Sequence, residues 1–274
     1  MSPTRRSRLR DQLIRGLAPA SDLAFRERPR VRVVSFHDVP ADARHAFAEK
    51  VAWLAANYRI VSLGEARART GLDEARSNVA LTFDDGFAEH GSFVPELLAE
   101  LSVPAAFFVP TGALDLAPAV AARFSAEGLR RRGSFAFMSS GEVRALAAHP
   151  LFEVGGHTAS HPDVARLDDA GLDVEVARAK AELEELAGAP VRWFAFPFGS
   201  PQNLSARAVR SIAGAGYEAA FTILPGFWSS GHDPYAVGRD CLPLEADLSV
   251  WKAWLRGGYD SVSWAKRRRF RVAA

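Results

Sequence analysis

Short apolar runs alternate with amphipathic helical patterns through most of this chain, and this alternation restricts its fold more than any other feature. The predicted strands are 31–36, 58–63, 79–83, 105–109, 152–154, 193–196, 219–223 and 235–237. Apolar side chains at helical spacing predict helices at 41–57, 93–101, 139–148, 168–188 and 205–215. Strand-then-helix order implies parallel strands, so we predict an α/β fold built as a parallel barrel or a doubly wound open sheet.

Polar residues follow four of these strands at the point where each strand ends. They are His37, the pair Asp84-Asp85, His157 and the segment Pro197-Phe198-Gly199. The carboxyl ends of parallel strands converge on one face of a barrel or sheet, where binding and catalytic sites are built. We therefore expect these residues to lie close together.

The residue types at these strand ends indicate metal-assisted hydrolysis. One carboxylate and two imidazoles form a common ligand set for a divalent ion with open coordination positions. His157 and His161 are four residues apart, so a helical turn would direct both at one ion. Neighbouring side chains of an extended segment point in opposite directions, so one aspartate can bind metal while Asp84 serves as general base.

Composition excludes several other classes of protein. The 34 Lys and Arg residues nearly balance the 32 Asp and Glu residues, and the net charge of +2 does not favour nucleic-acid binding. The only cysteine, Cys241, excludes a disulfide framework and a cysteine-rich zinc site. Cys241 has no nucleophile signature around it, and we interpret it as a packing residue.

Both ends of the chain are basic and are predicted to lie outside the catalytic domain, as segments 1–30 and 259–274. They would either fray in solvent or make weak contact with an anionic membrane surface. The sequence has neither a secretory signal nor an apolar run long enough to span a membrane. We therefore expect a cytoplasmic protein, peripheral at the inner membrane if the basic ends bind lipid.

Three motifs resemble those of the polysaccharide deacetylases, also called carbohydrate esterase family 4 or the NodB-homology domain. The first is Thr82-Phe83-Asp84-Asp85-Gly86, the second is His157-Thr158-Ala159-Ser160-His161-Pro162, and the third is Phe194-Ala195-Phe196-Pro197-Phe198-Gly199. The resemblance covers residues 31–245, within a single predicted catalytic domain at 31–258. It implies a distorted (β/α)7-type barrel.

The resemblance also implies roles for individual residues. By analogy, Asp85, His157 and His161 hold a divalent metal, with Zn²⁺ expected and Co²⁺ or Ni²⁺ as alternatives. Asp84 is the general base that takes a proton from the attacking water. The backbone N–H of Phe198 stabilises the oxyanion.

Two departures from the family pattern concern the groups around the base. Many members carry an arginine two residues before the proline of the third motif, and this chain has Ala195 there. Arg239 is a candidate substitute that would brace Asp84. The alternative is a surface ion pair between Arg239 and Asp240 or another neighbour.

The second departure concerns the general acid, which in many members is a histidine in a C-terminal motif. His37 follows the first strand and resembles the arrangement in a rearranged branch that includes exopolysaccharide deacetylases. His232, in a loop that looks like an exposed turn, is the alternative. The other histidines are predicted to lie at the surface: His45, His90 and His149.

Together these features predict a hydrolase of linear amides that removes N-acetyl groups from amino sugars. The expected substrate is an N-acetylated glycan, either a surface polysaccharide or exopolysaccharide or its lipid-linked precursor. Two alternatives stay open: an amide or ureide hydrolase of the same fold acting on a small substrate, and a non-catalytic carbohydrate-binding relative. A third alternative is a regulatory or assembly protein that merely retains the site, and the basic ends are its only indication.

Overall fold

The computed structural model describes residues 30–73, 78–133 and 135–260, together with position 12. Most of the two predicted basic ends, and their contact with a membrane, therefore lie outside the described residues. At the inner limits of these ends, Arg30 and Asp260 are buried, so the folded region extends past the predicted limits of 31 and 258. In the described part of the chain, no helix has the length and apolar character needed to cross a membrane.

The described residues form one curled sheet around which the helices pack. Its strands are β1 Val31–Phe36, β2 Arg59–Ile60, β3 Asn78–Phe83, β4 Ala105–Val109, β5 Phe152–Gly156, β6 Trp193–Ala195, β7 Ala219–Phe221, β8 Phe227–Trp228 and β9 Asp240–Cys241. The order β7-β6-β5-β4-β3-β1 is parallel throughout. The short β2 pairs with the first half of β3, and β8 pairs antiparallel with the start of β1.

The segment 237–241 connects the two edges of this sheet. Val237 forms a parallel bridge with Phe221 at the end of β7. Three residues later, Asp240 pairs with Val34 of β1, and Cys241 pairs with Ser35. The result is a distorted (β/α) barrel, which confirms the predicted barrel class and excludes the doubly wound open sheet.

The helices lie on the outside of the sheet. They are α1 Arg44–Asn57, α2 Leu63–Ala68, α3 Phe93–Glu100, α4 Pro118–Glu127, α5 Ser140–Ala148, α6 Asp169–Leu172, α7 Ala179–Ala187, α8 Ala206–Gly214 and α9 Leu248–Ala253. Two begin at predicted caps: Ser139 and Glu142 form a capping box before α5, and Asp168 accepts a 2.8 Å hydrogen bond from Gly171 N at the start of α6. A π-helical turn, Asp173–Arg178, joins α6 to α7.

Two predicted strands are wrong or too long, because local side-chain bonds favour other structures. Ser62 and Glu65 form a capping box that starts α2, so the strand predicted at 58–63 is reduced to Arg59–Ile60. In the strand predicted at 235–237, Pro234–Ala236 form a 3₁₀ turn instead. The carboxylate of Asp233 accepts a 2.8 Å hydrogen bond from Tyr235 N and stabilises this turn.

Alternating strand residues divide the core into two layers. One face of each strand packs against the helices, as Phe83 and Phe107 do. The other face fills the barrel interior with a smaller apolar cluster that includes Val33, Ala80, Phe108, Trp193 and Phe221. Because side chains alternate with a period of two, Thr82 and Asp84 continue the inward face of β3 toward the end of the barrel.

The tight interior predicts that Gly155 cannot accept a side chain. A Cβ at this position would lie 2.5 Å from two ring carbons of Phe108. We expect Gly155→Ala to lower the free energy of unfolding by about 1–3 kcal/mol, because an overfilled core forces side chains out of their preferred rotamers. Urea denaturation would measure this loss.

Gly214→Ala is the matched control for this experiment. A Cβ at Gly214, the last residue of α8, would meet no heavy atom within 4 Å. We expect its stability to be unchanged or raised by up to about 1 kcal/mol. Equal destabilisation by the two substitutions would contradict the proposed crowding at Gly155.

Candidate active site

The two adjacent aspartates leave the end of β3 in different directions. Asp84 N donates a 3.0 Å hydrogen bond to Phe36 O, which extends the pairing of β1 with β3 by one residue and keeps Asp84 on the inward face. Asp85 then adopts a left-handed conformation with φ of 74°, as does Gly86 with φ of 67°. This turn directs the Asp85 side chain toward the histidines of the second motif.

Asp84 is paired with Arg239 inside the barrel. Two guanidinium nitrogens of Arg239 donate 2.7 Å hydrogen bonds to the two carboxylate oxygens of Asp84. Arg239 Nε donates to Thr222 O at 3.1 Å, and another nitrogen donates to Thr82 Oγ1 at 3.2 Å. Arg239 is completely buried, which excludes the surface ion pair considered from the sequence.

This pairing determines the protonation state of the Asp84 carboxylate. Burial opposes its ionisation, but the nearby charges of Arg239, His157 and His37 outweigh burial and hold the pKa of Asp84 below its ordinary value. Ser35 Oγ lies 3.4 Å from Asp84 Oδ2. The side chain is therefore ionised at neutral pH, as a general base must be.

A loop, and not the predicted helical turn, brings His157 and His161 together. His157 follows β5, and the loop turns through two residues in the left-handed conformation, Thr158 with φ of 68° and His161 with φ of 62°. His161 N donates a 3.0 Å hydrogen bond to Thr158 Oγ1. Glu175 accepts hydrogen bonds from Ala159 N at 3.0 Å and Ser160 N at 2.8 Å, which hold the loop against the helix layer.

Asp85, His157 and His161 form a compact set of metal-ligating groups. Their ligand atoms all lie within 4.8 Å of one another, and all three residues are buried. Asp85 Oδ1 is 3.4 Å from Nε2 of each histidine. The other ring nitrogen of each histidine faces a backbone carbonyl, Nδ1 of His157 at 2.8 Å from Ala195 O and Nδ1 of His161 at 3.1 Å from Gly128 O.

The electrostatics of this set suit a divalent cation. Burial, reinforced by the charge of His157, lowers the pKa of His161 to about 4, so this imidazole is neutral at pH 7. Burial opposes ionisation of Asp85, but hydrogen bonding by His157 and the charges of His37 and His161 keep its pKa below the ordinary value. A neutral imidazole and an ionised carboxylate are the forms that bind metal, so the donors fit such an ion.

His37 lies beside the two aspartates, and its charge acts on both. Three contacts fix its loop: His90 Nε2 donates to His37 O at 2.7 Å, Arg131 donates to Asp38 at 2.7 Å, and Val39 N donates to Glu89 at 3.1 Å. His90 is fully buried, so its predicted surface position is wrong. Burial lowers the pKa of His90 to about 4 and keeps it neutral.

The remaining residues singled out from the sequence lie in different surroundings. His232 is in an exposed turn, with Nδ1 at 3.1 Å from Phe227 O. Phe198 is half-buried, has φ of 61°, and its ring centroid lies 4.8 Å from that of His161. Burial raises the pKa of Cys241 to about 12, so its thiol stays protonated at neutral pH, in agreement with a packing role.

A buried Asp-His-His set that could hold a metal ion lies beside an ionised second aspartate at the strand ends of the (β/α) barrel, an arrangement suited to hydrolysis. Comparison of the sequence with known families identifies the family. The sequence model described as "Polysaccharide deacetylase" matches residues 72–220, more than half of the chain. The protein therefore belongs to the polysaccharide deacetylase family, which confirms the resemblance noted in the motifs.

Individual relatives agree with this assignment. A chitin deacetylase from Pestalotiopsis sp is 28% identical over 141 residues, and the match covers 50% of this chain but only 39% of that protein. Two solved structures share the fold. IcaB from Ammonifex degensii has a TM-score of 0.65 at 23% identity, covering 83% of this chain and 97% of its own. A polysaccharide deacetylase from Bacillus cereus has a TM-score of 0.64 at 19% identity. The match covers 82% of this chain and 69% of that protein.

The burial of the Arg239–Asp84 pair generates a prediction for stability. We expect Arg239→Gln to lower the free energy of unfolding by about 3–5 kcal/mol, because it leaves the Asp84 carboxylate buried without its partner. Urea denaturation at pH 7 would measure the change. The double variant Arg239→Gln with Asp84→Asn should recover part of the loss, since no unpaired charge remains.

Arg192 provides the control, because it also forms a two-pronged pair with a carboxylate, that of Glu218, but at the surface. The bonds measure 2.6 and 2.9 Å, while the two side chains are 42% and 41% exposed. Arg192→Gln should cost at most about 1 kcal/mol, because solvent screens the surface pair. A similar loss in both single variants would show that burial of the Asp84 pair contributes nothing extra.

Proposed function

We propose that this protein is a metal-dependent hydrolase that removes N-acetyl groups from the amino sugars of a glycan. The observation that carries the proposal is the buried Asp85–His157–His161 set beside an Asp84 carboxylate that Arg239 keeps ionised. Membership of the polysaccharide deacetylase family supports the same reaction. The de-N-acetylase from Aggregatibacter actinomycetemcomitans, which has a similar fold with a TM-score of 0.63, also supports this reaction.

Asp85, His157 and His161 would hold the metal, for which we propose Zn²⁺, with Co²⁺ or Ni²⁺ as substitutes. Two imidazoles and one carboxylate leave coordination positions open, as catalytic zinc sites require. A bound ion of this kind supplies Lewis acidity, which makes water a better nucleophile and polarises the acetamide carbonyl. The carbonyls of Ala195 and Gly128 orient the two imidazoles through their Nδ1 atoms.

Three other groups would carry out the proton transfers and stabilise charge. Asp84 takes the proton of the attacking water, and Arg239 keeps this carboxylate ionised and oriented. The N–H of Phe198, which has no hydrogen-bond acceptor among the described residues, would donate to the oxyanion as the carbonyl carbon becomes tetrahedral. His37 would give a proton to the departing amine of the sugar.

We propose an N-acetylated surface polysaccharide or exopolysaccharide, or its lipid-linked precursor, as the substrate. The chain spans about two fifths of the length of the chitin deacetylase that it matches, so the substrate of that protein is not carried over. The test is acetate release from a panel of N-acetylglucosamine oligomers and lipid-linked glycans, with added Zn²⁺, Co²⁺ or Ni²⁺. Hydrolysis of small amides alone would favour the alternative hydrolase. Binding of glycans without acetate release would favour the non-catalytic relative.

Asparagine substitutions of the two adjacent aspartates should distinguish the proposed general base, Asp84, from the proposed metal ligand, Asp85. We expect Asp84→Asn to reduce kcat by a factor of about 10²–10⁴ while the protein retains its metal, because the proton acceptor is lost and the three proposed metal ligands are unchanged. Asp85→Asn should lose both activity and metal. Acetate release and metal content of the purified proteins would be measured together, and full activity of the parent protein in excess chelator would contradict the metal requirement.

A second pair of variants tests the general acid. His37→Gln should lower kcat on N-acetylated glycans by a factor of about 10²–10⁴, and the loss should shrink on 4-nitrophenyl acetate, whose leaving group needs no proton. His232→Gln should leave both activities unchanged, since His232 lies in an exposed turn. The assignment would be wrong if the His232 variant lost activity and the His37 variant did not.

A further inference from the structure

One short turn contacts three parts of the candidate active site. Residues 128–131 follow α4, and within them Gly128 O accepts from His161 Nδ1 at 3.1 Å. Arg131 donates to Asp38, the neighbour of His37, at 2.7 Å. Between these two, the guanidinium carbon of Arg130 lies 4.4 Å from the centroid of the Phe198 ring. The turn therefore places a positive charge against the side chain of Phe198, whose backbone N–H is the proposed oxyanion donor.

Arg130, unlike Arg131, lacks a counter-charge. Its side chain is exposed, and no carboxylate lies within 4 Å of it among the described residues, whereas Arg131 is paired with Asp38. Arg130 also adopts a left-handed backbone conformation, with φ of 54°. This conformation is costly for a residue with a side chain and is concentrated at binding and catalytic positions in proteins.

A groove of about 540 Å³ runs from Arg130 past His161 and along α4. Two further arginines line it, and each has an acidic partner in the same groove. Arg123 lies 3.4 Å from Glu127, and Arg166 lies 3.2 Å from Asp163. The charges within each pair cancel, so Arg130 supplies the net positive charge of the groove, which His161 also lines.

We infer that Arg130 is a binding subsite for an anionic group, a carboxylate or a phosphate, on the sugar next to the one that is deacetylated. The inference rests on the proposed function and specifies the charge of its substrate. A guanidinium forms two parallel hydrogen bonds with either group, and the cation–π contact with the Phe198 ring restrains the Arg130 side chain before a ligand binds. The groove has room for more than one sugar ring beside the reacting residue.

The test measures binding without turnover, using the metal-loaded Asp84→Asn protein and isothermal titration calorimetry. The probes are chitotetraose, which is neutral, a hyaluronan tetrasaccharide, which carries carboxylates, and chitotetraose phosphorylated at one 6-hydroxyl. We expect at least one anionic probe to bind about tenfold more tightly than chitotetraose, as a charge-assisted pair contributes. Tighter binding of the hyaluronan tetrasaccharide would identify the anionic group as a carboxylate, and tighter binding of phosphorylated chitotetraose would identify it as a phosphate.

Variants then assign the preference to Arg130. Arg130→Gln, added to the Asp84→Asn protein, should abolish the preference for the anionic probe. Arg132→Gln, which removes an exposed arginine two residues away, should leave this preference unchanged. The inference is overturned if no anionic probe binds better than chitotetraose. It is also overturned if Arg130→Gln weakens all three probes equally, which would mean that Arg130 only positions Phe198.

If the proposed deacetylase function is wrong, the result differs from the one expected if the Arg130 subsite is wrong. In that case the unsubstituted protein would release no acetate from any glycan, while the preference of the Asp84→Asn protein for an anionic probe persisted. Release of acetate without a charge preference would instead reject the Arg130 subsite alone.

Discussion

The buried ion pair between Asp84 and Arg239 connects the closure of the barrel to the chemistry of its open end. Arg239 belongs to the segment 237–241 that connects β7 to β1, and its guanidinium also reaches Thr222 O and Thr82 Oγ1. The charge that ionises the candidate base therefore depends on the same segment that closes the sheet. A buried pair of this kind is costly to break, because either partner alone leaves an uncompensated charge in the interior.

Backbone strain is concentrated at the same end of the barrel. Four residues of the site have positive φ without being glycine: Asp85, Thr158, His161 and Phe198. Such conformations persist only where the surrounding structure compensates for them. Here Glu175 and the Thr158 hydroxyl hold the histidine loop by hydrogen bonds to its backbone. The positions of the metal-ligating groups thus depend on side chains that are not ligands themselves.

Prediction from the sequence succeeded where local signals were strong and unopposed. The capping box of Ser139 and Glu142 correctly predicts the start of α5, whereas the same signature at Ser62 and Glu65 begins within a short apolar run that favours a strand. The helix at Pro118–Glu127 is absent from the predicted elements, although proline at its first position is a recognised start signal. A helical turn was expected at 157–161, since spacing alone cannot distinguish it from a loop with left-handed residues.

Local sequence was sufficient to place Asp84, Asp85, His37, His157 and Phe198 at strand ends, because apolar periodicity and strand order depend on neighbouring residues. Parallel strands then bring such ends to one face. The sequence offers Arg239 as a candidate partner of Asp84, but only the folded chain could decide between this pairing and a surface ion pair, since Arg239 lies 155 residues away and meets Asp84 through barrel closure. The burial of His90 and the cation–π contact of Arg130 with Phe198 were likewise decided by tertiary contacts, for which neither residue carries a local signal.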